Sequence, residues 1–297
     1  MLRQWWRVAY AARAGFRVDV GEMRGEEAAL FGHADDEGAS RSLVRLRLDR
    51  WDEGRLKRQQ WQALPEVKHP EVKDEQTGKL KPVGSDLYLG YGPLEFSGGH
   101  TQLKKNAAIQ AEESAEFCLA YPENHGAPLE QALWLMDRFG VLGGRSRNGW
   151  GSFFLKPENG EPLTGTLPLR NWEDCIDRDW PHAIGRDKKA ALIWQTTPLT
   201  DWKNVMVELA RLKIGLRTQF IFPDERPPHH DVLPRHWLSY PITKHSTQAF
   251  PRDARLPNSL RFKVRPAENG HLVGVIFHVP CLPPPVFHPD RNLEAIK

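Results

Sequence analysis

Cysteine is scarce: Cys118, Cys175 and Cys281 are the only three in 297 residues, and they show neither paired nor metal-ligand spacing. Long apolar runs are missing too. No stretch approaches the roughly 18 apolar residues of a membrane span, and the opening Met1-Leu-Arg-Gln-Trp-Trp-Arg7 has no apolar core of signal-peptide length. A soluble, cytoplasmic protein is expected. No H-E-x-x-H and no C-x-x-C occurs, and no Ser-His-Asp arrangement stands out by spacing. The sequence therefore assigns no catalytic residue, no metal ligand and no cofactor. Charge of one sign is also lacking, since 41 Lys+Arg face 38 Asp+Glu for a net +3. Its distribution says more than its sum: residues 203–265 hold 12 Lys/Arg against 5 Asp/Glu, whereas 106–137 hold six acids and no Lys or Arg. One face for an anion and another kept away from it is the implied arrangement, with the acidic stretch a surface for docking a neighbouring chain.

What is present, above all, is Phe139-Gly-Val-Leu-Gly-Gly-Arg-Ser-Arg-Asn-Gly-Trp-Gly-Ser152, five glycines and two arginines in fourteen residues. Glycines permit positive φ and close approach of a ligand, and Arg145 and Arg147 can fork onto phosphate oxygens. The stretch lacks the Gly-Lys-Ser/Thr ending of a P-loop, and it is no G-x-G-x-x-G between a first strand and its helix. A polynucleotide is favoured over a mononucleotide, against the plainer alternative of a glycine-rich connection with solvated arginines.

The periodicity predicts an amphipathic helix from Leu2 to Ala14, with Leu2, Trp5, Trp6, Ala9 and Tyr10 on one side. A second helix spans Glu22–Leu30, stopped by Gly32, and a strand spans Ser42–Leu48 with Arg45 and Arg47 sharing a face. Asp49–Ser85 reads as a long excursion. Further strands are expected at Leu87–Tyr91, Phe117–Ala120 and Trp150–Leu155, with a helix at Leu129–Phe139. After a linker-like stretch at 156–166 come a strand at Lys189–Thr196, a helix at Thr200–Lys213, an irregular Pro/His/Arg segment at Pro223–Arg255, and strands at Ser259–Val264 and His271–Val279. Asn269-Gly270 signals a hairpin between the last two. The expected fold class is α+β in two units, residues 1–160 with the glycine-rich loop and 161–297, each with a long insertion.

Candidate anion contacts beyond the loop are Arg3 and Arg7, four apart on one helix face near its N-terminus, for which a solvated face is the equal alternative. Arg45 is a candidate on the strand. Trp5 and Trp6 suit core packing better than base stacking. Among the 12 histidines, His33, His100 and His125 sit in loops without a catalytic motif. His229-His230-Asp231 with His236 reads as a solvated, Pro-rich loop rather than a metal site.

Four stretches in order, Leu2-Arg-Gln-Trp-Trp-Arg7, Leu30-Phe-Gly32 followed by Ser42-Leu-Val-Arg-Leu46, Tyr88-Leu-Gly-Tyr-Gly92 and Leu142–Ser152, resemble the RAMP superfamily. Within it they look most like subunit one of the Cmr complex, the RNA-guided effector of type III-B CRISPR systems. The resemblance is weaker over 156–297. It implies two tandem ferredoxin-like, RRM-related domains, with the family's first strand missing ahead of the double-tryptophan helix. It also implies a non-catalytic RNA-binding subunit in antiviral defence, holding the 3′ portion of guide RNA or the guide–target duplex among other Cmr-type subunits, without a membrane. The residues implied are Arg3, Arg7, Gly32, Ser42, Arg45, Gly143, Gly144, Arg145, Ser146, Arg147, Gly149 and Gly151, with guide RNA and possibly target RNA as partners. Asn148 stands where the family often has another basic residue. The alternative is a RAMP-type metal-independent endoribonuclease that cuts repeat RNA.

Overall fold

A computed structural model describes residues 1–36, 38–50, 52–105, 107–224 and 227–287. Helix α1 (Leu2–Arg13) buries Leu2, Trp5, Trp6, Ala9 and Tyr10, the stripe that its period demands. Gly15 and Phe16, both at positive φ, end it. Helix α2 (Val20–Phe31) starts at Asp19, whose carboxylate accepts the Glu22 amide at 3.0 Å, and stops at Gly32 with φ +74°. Helices α3 (Ser85–Gly90), α4 (Gly126–Phe139), α5 (Trp202–Thr218) and the short α6 (Pro234–Leu238) follow. Asp201 caps α5 by accepting the Asn204 amide at 2.9 Å.

The largest sheet among the described residues has three strands. Leu272–His278 runs down its middle, antiparallel to Leu260–Pro266 on one side and to Ile193–Gln195 on the other. The outer two are therefore parallel, and α5 crosses between them, a split β-α-β unit. The hairpin turn falls where Asn269 and Gly270 adopt positive φ, as expected. One sheet face carries Val273, Val275 and Phe277 into a core shared with α1 and α4, where the Phe139 and Phe277 rings lie 4.9 Å apart. On the other face α5 sits so close that a Cβ on Gly274 would meet Leu209 at 2.7 Å. In the N-terminal half, Arg45–Leu48 pairs antiparallel with Phe117–Ala120.

The α+β class is as expected, and two predicted strands are corrected. Leu87–Tyr91 is not a strand: Leu87–Gly90 belong to α3 and Tyr91 is its C-cap. The apolar run fits either element, and the buried Asp86 carboxylate decides it by accepting the Leu87 amide at 2.7 Å and the Leu64 amide at 3.1 Å. Trp150–Leu155 forms no strand, because Gly149 and Gly151 turn the chain into a reversal held by the single Val141–Ser152 bridge. The 156–166 connection carries no helix or strand, and Gln131 ties it to α4 by accepting the Thr166 amide at 3.0 Å and donating to the Thr166 carbonyl at 2.7 Å. The Pro/His segment differs most from expectation. His229 and His236 are buried, and Phe222, His229 and His245 stack nearly parallel; His230 and Asp231 are solvated. Burial lowers the pKa of His236 and His245, favouring neutral rings. Among the described residues no group of three His, Cys, Asp or Glu is arranged to hold a metal ion, and no helix is long and apolar enough to cross a membrane.

Candidate nucleic-acid interface

The glycine-rich loop begins where α4 ends. Past Gly140 the chain doubles back, with the Leu142 amide donating to the Gly151 carbonyl at 2.9 Å and the Asn148 amide to the Arg145 carbonyl at 2.8 Å. Gly143, Arg145, Gly149 and Gly151 all have positive φ, the region where a side chain is costly. At Gly151 the need is absolute, since a Cβ there would collide with the Leu142 carbonyl oxygen. Gly149 packs on Met206 and Leu209 of α5, and Gly144 abuts Pro93. The Phe262 amide donates to the Arg147 carbonyl at 3.0 Å, and the Val264 amide to the Ser152 hydroxyl at 2.9 Å. Residues far apart in the chain thus become neighbours.

Side chains of the loop cap the C-terminal end of α3. Arg145 donates through Nε to the Tyr91 carbonyl, and the Asn148 amide donates to the Leu89 carbonyl at 2.7 Å. These satisfy carbonyls that a helix end leaves open. The Asn148 side-chain oxygen accepts from Lys213 Nζ at 2.7 Å. Asn148 therefore joins α3 to α5. Trp150, its ring centroid 5.8 Å from Trp61 and 5.3 Å from Trp202, anchors the base of the loop.

Positive charge accumulates here. Among the described residues no carboxylate lies within ion-pair distance of Arg145, Arg147, Lys213, Arg217 or Arg261. Burial, with the charges of Arg217 and Arg145 beside it, pushes Lys213 down to about 7. Burial and the Arg147 charge take Arg261 down to about 10, and burial lowers Arg147 itself. Neighbouring cations thus disfavour protonation of Lys213 and Arg261, a penalty that a bound anion would relieve, while Glu71 acts in the opposite sense on Arg217. Arg145 and Arg147 are exposed, with Ser146 half-buried between them, and the Arg145 guanidinium lies beside Gly92.

The other expected contacts lie elsewhere. Arg3 and Arg7 grip the buried Glu27 carboxylate, Arg3 through Nε at 2.6 Å and Arg7 through two bonds of 2.6 and 2.8 Å. Burial would raise the pKa of Glu27, but the hydrogen bonds and charges of Arg7 and Arg3 outweigh it and hold the carboxyl below its usual range. The pair is thus a clamp between α1 and α2, half-exposed along a shallow cleft that it lines with Gln4, Trp180 and Pro181. Gly32 is fixed by backbone, since a Cβ would stand 3.0 Å from the Ser40 carbonyl oxygen and the Ser42 nitrogen. The Ser42 hydroxyl is engaged by the Leu30 and Val44 carbonyls at 2.8 and 2.6 Å, which makes it part of a turn. Arg45 is exposed on its strand, as is Arg47. Trp5 and Trp6 are core residues, 2% and 0% exposed.

Lys213, Arg217 and Arg261 were not singled out by sequence reasoning. A signal existed for one of them: Lys213 interrupts the buried α5 stripe of Met206, Leu209, Ala210 and Ile214, and a lysine on an apolar face is seldom placed without a partner. Arg261 has no such mark, because strand alternation alone does not say what covers each face.

No curated protein matches the chain. Among solved structures it is similar to the crystal structure of Cmr1 from Pyrococcus furiosus in its apo form, at 15% identity over 94% of this chain and 78% of that one, with a TM-score of 0.39. The family model of the RAMP superfamily matches residues 1–153. That stretch exceeds half of the 297 residues and contains both the double-tryptophan helix and the glycine-rich loop, so the chain belongs to the RAMP superfamily.

Proposed function

We propose that this chain is a non-catalytic RNA-binding subunit of a type III-B CRISPR effector, with the Gly143–Gly151 loop tracking the phosphates of guide RNA or of a guide–target duplex. One observation carries the reading: Arg145 and Arg147 project from a braced loop into a cationic cluster that has no carboxylate partner among the described residues. Single-stranded RNA offers a run of phosphates to such a loop. Membership of the superfamily and the ordered motifs support placement in a Cmr-type assembly, where the acidic 106–137 stretch faces a neighbouring subunit. The split β-α-β unit around α5 is, in this reading, part of the second of two diverged ferredoxin-like domains. The soluble subunit works in the cytoplasm.

The test is fluorescence anisotropy with single-stranded RNA across a salt series, comparing wild type with the Arg145→Ala/Arg147→Ala pair. The pair should bind at least about tenfold more weakly, and its log K against log salt should be shallower by about 0.7 for each phosphate that is no longer neutralised. Unchanged affinity and slope would remove RNA from the loop. Discrete cleavage of repeat RNA, with a 2′-deoxy version spared, would replace a binding subunit by the endoribonuclease reading.

A further inference from the structure

Tyr91 is large, aromatic and 64% exposed, and its ring touches no other aromatic ring among the described residues. Its backbone is by contrast held from several directions. The Tyr91 amide donates to the Leu87 carbonyl at 2.9 Å, and its carbonyl accepts the Arg145 guanidinium. Gly90 before it lies so close to Trp150 that a Cβ would stand 3.0 Å from that ring, and Pro93 after it abuts Gly144. An exposed aromatic on a pinned backbone, hydrogen-bonded to an arginine whose remaining donors meet no hydrogen-bond partner among the described residues, differs from an ordinary surface tyrosine. Its backbone has little freedom left to lose on binding.

Resting on the reading of the loop as an RNA site, we propose that Tyr91 is a nucleobase-stacking platform, with Arg145 engaging the phosphate beside the stacked base. A polynucleotide places a π-face and a charge at each repeat, so a ring adjoining a cationic loop is complementary to both. The positive charge around Arg145 favours this occupant over an apolar protein surface. Such a platform is indifferent to base identity, which suits a subunit that must accept any guide.

Tyr91→Ala and Tyr91→Phe are compared with wild type and with the Arg145→Ala/Arg147→Ala pair. Two probes are used, a single-stranded RNA and an abasic ribose-phosphate oligomer of equal length, with urea midpoints confirming that each variant is folded. Wild type should prefer RNA to the abasic oligomer. Tyr91→Ala should lose about tenfold in affinity for RNA and nothing for the abasic oligomer, with its salt slope unchanged; Tyr91→Phe should bind as wild type does. If Tyr91→Ala keeps full preference for RNA while the arginine pair is weakened, the platform is wrong and the loop site stands. If neither variant is weakened, the loop site fails and the platform with it.

Discussion

At the scale of single residues, the chain keeps its charges in two different conditions. Glu27 is buried and satisfied by two arginines, so breaking that clamp would strand a carboxylate in the core. Lys213 is buried with the Asn148 amide oxygen and the Tyr88 ring face as partners and arginines nearby. Its folded pKa of about 7 lies far below its ordinary 10.5. Between those values the unfolded chain holds a proton that the folded one has released, so this group makes stability rise with pH across the window. Lys263, also near 7 through burial, acts in the same direction. Urea midpoints should therefore climb from about pH 7 to about pH 9.5, and Lys213→Met should flatten part of the climb. An identical slope in the variant would mean that Lys213 is solvated and protonated in the folded state. Because RNA phosphates at the loop would favour the charged lysine, binding should also draw in protons near neutral pH.

At the scale of elements, the glycine-rich loop serves as a structural bracket as well as a surface. It closes the end of α3, leans on α5 and ties itself to the Leu260–Pro266 strand by one backbone bond and one through the Ser152 hydroxyl. The glycines are not equivalent. At Gly143, φ is +81° and a Cβ would meet nothing within 4 Å, so Gly143→Ala should cost only the left-handed penalty of about 1–2 kcal/mol. Gly151→Ala adds a collision with the Leu142 carbonyl and should cost more than that, lowering the urea midpoint further and weakening RNA binding with it. Equal costs for the two would show that the reversal relaxes freely. This element was half legible. Five glycines among two arginines declared a loop that exposes backbone, but Asn148 looked like a missing charge, whereas it is the amide that joins α3 to α5. Leu87–Tyr91 was misjudged for a related reason: a short apolar run has no period long enough to separate helix from strand, and its partner, α5, lies far along the chain.

At the scale of the whole molecule, one hydrophobic core unites sequence halves that read as separate units. Trp5, Trp6 and Phe139 share it with Val275 and Phe277. Phe277→Ala should cost about 3–5 kcal/mol, and wild type and variant alike should each unfold in one calorimetric transition in which both halves melt together. Two resolved transitions, with only the later one shifted by the substitution, would show that the halves are energetically independent. The same sheet supplies Arg261 to the cationic cluster and Phe262 to the core beneath it, so folding of the C-terminal half and assembly of the candidate RNA site are a single event.

Local pattern determined much by itself: the stripe of α1, the Asn269-Gly270 hairpin and the loop between Phe139 and Ser152 follow from side-chain period and backbone freedom within a short span of chain. The family was legible from motifs of the same short range. Tertiary structure alone decided which arginines are committed and which are available. Arg3 and Arg7 are bound because α2 brings Glu27 beneath them, while Arg147 has Arg261, a charge of its own sign, folded beside it, and Arg145 has Lys213 of α5. Charge pairing is a matter of distance in space, and a linear sequence does not contain that distance until the sheet has closed over the loop.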